Sequence, residues 1–355
     1  MKPKKVCIVA EWLTWRGGSE SVIDALLEAF PGADFYTTVY NAKKLPEYKK
    51  FKPQTSFLQK IPIARKKHQS IPPLLLKAIS SLNLSGHDLI ISSSSSIGKG
   101  IKKPKNSVHI CYCHTPMRYV WQPEIDKRLV KLPLGKYFIN YLKKWDLRTN
   151  KNVDYFLTNS SYTKERIRRI YKRGATVIYP PVKIHPLPRH IQKQDFYFCL
   201  SRLIPYKKID LAIRACENLS RKLIVAGEGP ELKKLRKIAG STTKFIGRID
   251  DKKKMNLLRK AKALIFPCED DFGIVPIEAM SQGTPIIAYK KGGARESVLD
   301  GKTGILFEKQ SVKSLTAAIR KFEKSQFDQK EIIRRAKGFS KQRFIKEIKK
   351  FIKQI

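Results

Sequence analysis

Phe266-Pro-Cys-Glu-Asp-Asp-Phe-Gly-Ile-Val-Pro-Ile-Glu-Ala-Met280 joins a strand, an acidic loop and a helix in one short stretch. The run Ala263 to Cys268 is apolar and bounded by turn residues, the pattern of a buried strand. Gly273 opens the helix that follows. The first N–H groups of that helix, at Gly273, Ile274 and Val275, have no partner within it and sit at its positive end, which suits a diphosphate. Pro276 is tolerated because a missing N–H costs little in a first turn. Glu278, one turn in, carries two acceptor oxygens that can take hydrogen bonds from both hydroxyls of a ribose.

The same rhythm of strand, loop and helix extends in both directions and predicts parallel α/β domains. In the first half, strands are expected over Val6 to Ala10, Phe35 to Val39, Leu89 to Ser93, Val108 to Cys113, Tyr155 to Asn159 and Val177 to Tyr179. In the second half they are expected over Phe196 to Ser201, Lys222 to Ala226, Lys244 to Gly247, Leu264 to Pro267, Pro285 to Tyr289 and Ile305 to Phe307. Between the halves, Tyr179-Pro-Pro-Val-Lys-Ile-His-Pro-Leu-Pro188 breaks the rhythm and marks a linker. A chain of 355 residues fits two domains of this kind. The expected division is 1–185, 186–338 and a terminal helix 339–355. Open sheets bind ligands at the carboxyl ends of their strands, so two of them face to face would form a cleft.

Hydrophobic content of 42% and aromatic content of 10% exclude a disordered chain. Lys+Arg 73 against Asp+Glu 30 gives a net charge of +43, which attracts nucleic acid, an anionic bilayer or phosphorylated substrates without choosing among them. Cys7, Cys111, Cys113, Cys199, Cys216 and Cys268 lie mostly in apolar runs, with no second ligand pair at zinc spacing; buried reduced thiols and a cytoplasmic location are expected. The N-terminal apolar run ends at Glu11, too short for a signal peptide, and no run is long enough to cross a bilayer. Any membrane contact must then be peripheral. Lys60 to Lys67, beside Ile61, Ile63 and Leu74 to Leu76, is the stretch expected to dock on an anionic membrane, against the alternative of a solvated charged face. The terminal segment, with Phe344, Ile345, Ile348, Phe351, Ile352 and Ile355 at helical spacing among lysines, reads either as a core-facing helix or as one resting on a membrane.

Further groups gather at strand ends. Arg202 and Lys207 follow the strand ending near Ser201 and can together hold a diphosphate and offset the charge that grows as it leaves. Trp15-Arg-Gly-Gly-Ser-Glu20 follows the first strand; paired Gly17 and Gly18 permit close backbone approach to a ligand at a helix start, although the loop is neither a dinucleotide fingerprint nor a Walker loop. Gly227-Glu-Gly-Pro230 is read equally as a ligand loop or as a tight strand-to-helix connection. His114 ends the strand Val108 to Cys113, in Ile110-Cys-Tyr-Cys-His-Thr-Pro-Met-Arg-Tyr-Val-Trp121.

These motifs resemble those of retaining glycosyltransferases of family 4, which have the GT-B fold. The quoted stretch is similar to the family's Glu-x7-Glu pattern with its Ala-Met and following Gly-x-Pro turn, here Gly283-Thr-Pro285. One position departs: Asp270 stands where the family has its first glutamate, with Glu269 just outside the register. Arg202 and Lys207 resemble the family's Arg-x4-Lys pair, and His-Thr-Pro-Met-Arg-Tyr resembles a branch that includes mannosyltransferases of surface polysaccharide and O-antigen assembly. The resemblance runs from Glu11-Trp-Leu-Thr14 through Thr55-Ser-Phe-Leu-Gln59 to the terminal helix.

It implies two Rossmann-like domains facing across a cleft, with the last helix crossing back to the first. It implies metal-independent transfer, with retention of configuration, from a nucleotide-sugar, with GDP-mannose the first guess, to a saccharide or lipid-linked acceptor. No cofactor is implied. By the same resemblance Asp270 would touch the donor sugar, Arg202 and Lys207 the diphosphate, and Glu278 the ribose. Gly247 and Arg248 would hold the base, Gly17 and Gly18 the donor phosphate, and His114 the reaction centre. The location implied is cytoplasmic, at the inner face of the cell membrane. Two other readings stay open: a GT-B nucleotide-sugar epimerase or phosphorylase, and a basic nucleic-acid-binding protein, although no recognition motif with interleaved basic and aromatic residues is present.

Overall fold

The computed structural model describes residues 5–67, 72–123, 125, 129–130, 134–187 and 192–355. The chain divides into two compact units, Met1–Pro181 together with Lys341–Ile355, and Val182–Ser340.

The first unit is built on a sheet of β1 (Val6–Ala10), β2 (Asp34–Thr37), β3 (Gln54–Thr55), β4 (Leu89–Ser94), β5 (Val108–Cys113), β6 (Tyr155–Thr158) and β7 (Thr176–Val177), in the order β3-β2-β1-β4-β5-β6-β7. The second carries β8 (Tyr197–Leu200), β9 (Leu223–Ala226), β10 (Thr243–Phe245), β11 (Ala263–Phe266), β12 (Ile286–Tyr289) and β13 (Gly304–Phe307), in the order β10-β9-β8-β11-β12-β13. Every pairing is parallel. A parallel sheet needs cover on both faces, so its strands read as continuous apolar runs. Ala263–Phe266 and Ile286–Tyr289 are buried at every residue for this reason. The strand order reverses between β1 and β4, and again between β8 and β11. Each reversal opens a crevice at the carboxyl ends of those strands, and each sheet carries its candidate residues there.

Three differences from the sequence reading have physical causes. β3 was not expected, because two polar residues, Gln54 and Thr55, leave no periodic trace and pair only through the edge of β2. Gly247 lies two residues past the end of β10, outside the strand, with φ of +67°. The apolar half of the proposed Lys60–Lys67 docking stretch is used up: Leu75 and Leu76 are core residues, and Ile61 and Leu74 pack against them. Only Ile63 of that set is exposed.

The helix Lys341–Gln354 buries Phe344, Ile348 and Ile352 in the core of the first unit, with Val22, Leu26, Ile110 and Tyr112, and Ile345 and Phe351 pack alongside. Its apolar stripe is therefore covered by protein, which removes the membrane reading of this helix. All six cysteines are free and buried, and burial pushes the thiols of Cys7, Cys111 and Cys216 up to about 12.

Candidate functional site

In the second unit the strand-order reversal brings together the loops after β8 and β11. Arg202 is exposed just past β8 and donates to Tyr206 Oη at 3.4 Å. A short turn over Pro205–Lys207 then carries Lys207 back into the protein, where it is 8% exposed. Its Nζ meets Asp270 Oδ2, from the loop after β11, at 2.6 Å. Burial works against the Lys207 charge, but Asp270, with Cys268 and Tyr206, outweighs it and the net effect is to raise its pKa. The two residues expected to serve separately, one on a diphosphate and one on a sugar, are thus bound to each other.

Gly273 caps the helix Ile274–Ser281 with φ of +86°, in the left-handed region that favours glycine. Ile274 and Val275 are the first helical residues, so their N–H groups face the crevice without intrahelical acceptors. The acidic loop is shaped by a second pair of glycines that sequence reasoning passed over. Gly293 N donates to Asp270 O at 2.9 Å, and a Cβ on Gly292 or Gly293 would lie 2.3 Å from Asp270 O or Phe272 Cα. Gly292-Gly293 after β12 was a legible signal, since paired glycines mark close backbone approach.

Glu278 does not stand alone. Lys254, from the helix Asp251–Lys260, donates to Glu278 Oε1 at 2.7 Å and meets Asp251 Oδ1 at 3.0 Å. Burial pushes the Glu278 carboxyl up, and Lys254 opposes that shift. Burial also works against the Lys254 charge, but Glu278 and Asp251 overcome it, so its pKa is raised. Nothing in the sequence distinguishes Lys254 from Lys252 and Lys253, which precede it.

Gly247 presents its carbonyl to Gly227 N at 2.7 Å, and Arg248 beside it is exposed. Gly227 and Gly229 are tight-connection residues: an added Cβ would stand 1.8 Å from Ser201 O and 2.3 Å from Leu203 O. That close backbone approach explains the Gly-x-Gly spacing without a ligand.

The crevice of the first unit is organised by Glu11, just past β1. Its carboxylate accepts from Ser94 Oγ (3.1 Å), Ser95 N (3.0 Å), Ser95 Oγ (2.8 Å), Ser96 N (2.6 Å) and Gly98 N (2.9 Å). Burial raises its pKa, and these donors pull it back. A helix start nearby is likewise answered from within: Gly17 N donates to Glu20 Oε2 at 2.7 Å, and Ser19 Oγ to the same oxygen at 3.1 Å. A phosphate approaching Gly17 and Gly18 would meet the Glu20 carboxylate. His114 is half-buried at the end of β5, with Nε2 2.8 Å from Ser93 Oγ, its N–H on Ser94 O at 2.8 Å, and its carbonyl receiving Asn159 Nδ2 at 2.9 Å. Glu11, Glu20, Ser93 and His114 line one small cavity.

Two doubly wound parallel sheets, each with charged loops at its strand-order reversal, define the GT-B class of glycosyltransferase. Residues 16–185 match the family described as Glycosyltransferase Family 4, and residues 183–339 match Glycosyl transferases group 1. The chain belongs to family 4 of the glycosyltransferases.

An uncharacterized glycosyltransferase of Methanocaldococcus jannaschii is 25% identical over 95% of this chain and 93% of its own length. A GDP-mannose-dependent alpha-(1-6)-phosphatidylinositol monomannoside mannosyltransferase of Mycolicibacterium smegmatis is 34% identical over 34% of this chain and 36% of its own length. The alpha-1,3/1,6-mannosyltransferase of Mus musculus is 28% identical over 59% of this chain and 58% of its own length. The chain therefore spans well under two thirds of both mannosyltransferases. Among solved structures, HepE of Anabaena with UDP and glucose matches with a TM-score of 0.75 at 18% identity, over 99% of this chain and 100% of that one. The apo lipopolysaccharide outer core galactosyltransferase WaaB matches at 0.69 and 18%, over 99% of each. At these identities the structures establish the shared fold.

Proposed function

We propose that this glycosyltransferase moves mannose from GDP-mannose to a saccharide or lipid-linked acceptor at an anionic membrane surface, with retention of configuration and without a metal. The observation that carries the donor reading is the second unit's crevice. There Arg202, Lys207 and the open helix start at Gly273 offer positive charge and N–H donors for a diphosphate, and Glu278 offers a carboxylate for a ribose. The choice of mannose and guanosine rests on the mannosyltransferase relatives, which match part of the chain. Asp270 would touch the transferred sugar after its pair with Lys207 opens, while Gly247 and Arg248 would flank the base. His114, held by Ser93, would act on the transferred sugar.

The chemistry asked of these residues is electrostatic. As the sugar–phosphate bond breaks, the diphosphate gains negative charge, and cations already in place stabilise it without reorganisation. The leaving phosphate can then take the proton of the incoming hydroxyl, which requires no carboxylate pair at glycosidase spacing.

The test is a calorimetric titration with GDP, UDP and ADP on the wild type, Arg202→Ala and Glu278→Ala, followed by turnover with the matching nucleotide-sugars. Each variant should lose about 1.5 to 3 kcal/mol of nucleotide affinity while remaining folded. Unchanged affinity in both variants would refute the site. NMR of the product anomer decides retention, and turnover of UDP-glucose but not GDP-mannose would refute the choice of donor.

A further inference from the structure

The helix Gly135–Arg148 in the first unit has one face fixed and the other unused. Ile139 and Leu142 enter the core, and Asp146 is fully buried, with Lys99 Nζ at 2.9 Å, Trp121 Nε1 at 2.6 Å and Tyr171 Oη at 2.9 Å. Lys99 is itself buried and also donates to Thr149 Oγ1 at 2.6 Å. A charge pair locked in this way makes the helix a rigid part of the unit, because moving it would strand two buried ions.

The outward side is unlike an ordinary solvated face. Tyr137 is 76% exposed, Tyr141 54% and Leu134, just before the helix, 75%. Phe138 stacks on Tyr141 with ring centroids 6.2 Å apart, and Leu147 continues the apolar surface. Lys136, Lys144 and Arg148 stand exposed among these residues. The helix's one carboxylate is the buried Asp146, so its outward side carries positive charge alone.

We propose that this face, led by Leu134, Tyr137, Tyr141, Lys136 and Lys144, docks the enzyme on an anionic lipid bilayer. Charge selects the occupant: a helix face that among the described residues carries cations and no exposed acid, on a chain of net charge +43, is complementary to an acidic surface. The residue types narrow it further. Tyrosine rings have an apolar body and a polar tip and settle at the headgroup level, while leucine enters the acyl boundary and lysine stems reach back to the phosphates. The docking surface thus lies on this helix, not on Lys60–Lys67, whose apolar neighbours are spent in the core. The proposal deepens the membrane part of the functional reading and is independent of the donor.

Cosedimentation with vesicles of phosphatidylcholine alone, and of phosphatidylcholine with phosphatidylglycerol, tests it. The wild type should bind the anionic vesicles and lose binding with added salt. Lys136→Gln with Lys144→Gln should weaken that binding about 30-fold, at the usual contribution of a basic residue near such a surface. Tyr137→Ser with Tyr141→Ser should weaken it and lessen the part that survives salt, and Ile63→Ser should leave it unchanged. All these side chains are exposed, so thermal unfolding should match wild type, as should turnover with a water-soluble acceptor. Equal binding by the helix variants and wild type, or loss through Ile63→Ser alone, overturns the proposal. So does helix-dependent binding to random duplex DNA without binding to vesicles. Vesicle binding by a protein that takes no nucleotide would leave this surface standing and refute the donor reading.

Discussion

Lys254→Met removes the cation that keeps Glu278 charged, and its effect can be worked out from the structure. The pair meets at 2.7 Å, with 17% of the Lys254 side chain and 14% of the Glu278 side chain exposed. Breaking a buried pair by deleting one member costs about 3 to 5 kcal/mol. Because both groups retain some water contact, the lower end applies, about 3 kcal/mol, or roughly 6 to 12 °C in the midpoint of a unit this size. The sign with pH is the decisive part. Burial already holds the Glu278 pKa above its ordinary 4.5, and Lys254 pulls it down, so removing Lys254 raises it further. A carboxyl with a raised folded pKa loses stability as pH rises from its unfolded value through its folded one, and recovers it in acid, where the group is protonated in both states. The charged neighbours that face it are Lys254 and Asp251, both on the helix Asp251–Lys260. The deficit of Lys254→Met relative to wild type should therefore be full above neutral pH and shrink towards about pH 4.5. Calorimetric melts of both proteins across that range measure it, and taking the difference cancels titrations they share. Lys254→Arg should restore most of the loss. A deficit of the same size at every pH would refute the reasoning, because it would show Lys254 acting through packing and not through charge.

Asp270→Asn should free Lys207 from its internal partner, so nucleoside diphosphates should bind up to about tenfold tighter while turnover falls; unchanged or weaker binding by calorimetry would show the two residues acting independently. His109 is fully buried with Nε2 2.8 Å from Ser92 Oγ and Nδ1 2.6 Å from Asn152 O, and burial pushes its pKa down to about 4 despite the pull of Asp154. Its contribution is present above the ordinary value of 6.5 and is lost as pH falls towards 4, on the order of 3 kcal/mol, and His109→Gln should flatten that part of the acid unfolding curve. Gly227→Ala should lower the thermal midpoint of the second unit by forcing a Cβ against Ser201 O at a position with φ of +130°; a midpoint equal to wild type would show the loop able to yield. Excess chelator should leave turnover nearly intact, and a loss restored by magnesium or manganese would refute neutralisation of the diphosphate by Arg202 and Lys207.

The sequence by itself determined the two α/β halves, because apolar runs such as Ala263–Phe266 can satisfy parallel pairing only with both faces covered, and that demand is written in composition. It also placed Arg202, Lys207 and Asp270 in loops after strands and Gly273 and Glu278 in the first turns of the next helix, since strand, loop and glycine-opened helix follow one another locally along the chain. Burial of the last helix's Phe344, Ile348 and Ile352 was legible as one of two readings of an amphipathic stripe, and packing chose between them. What only the tertiary structure decided is who meets whom. Lys207 and Asp270 are 63 positions apart and Lys254 and Glu278 24, and each pair forms because the sheet order sets their loops or helices side by side. Glu11 filled a nest of N–H groups from 84 to 87 positions away, and Leu75 and Leu76 went into the core while Tyr137 and Tyr141 stayed outside. In a sequence this basic one lysine looks like another, and an exposed tyrosine looks like a buried one. Their ion pairs and their exposure are set by which elements pack against them, and that information is non-local.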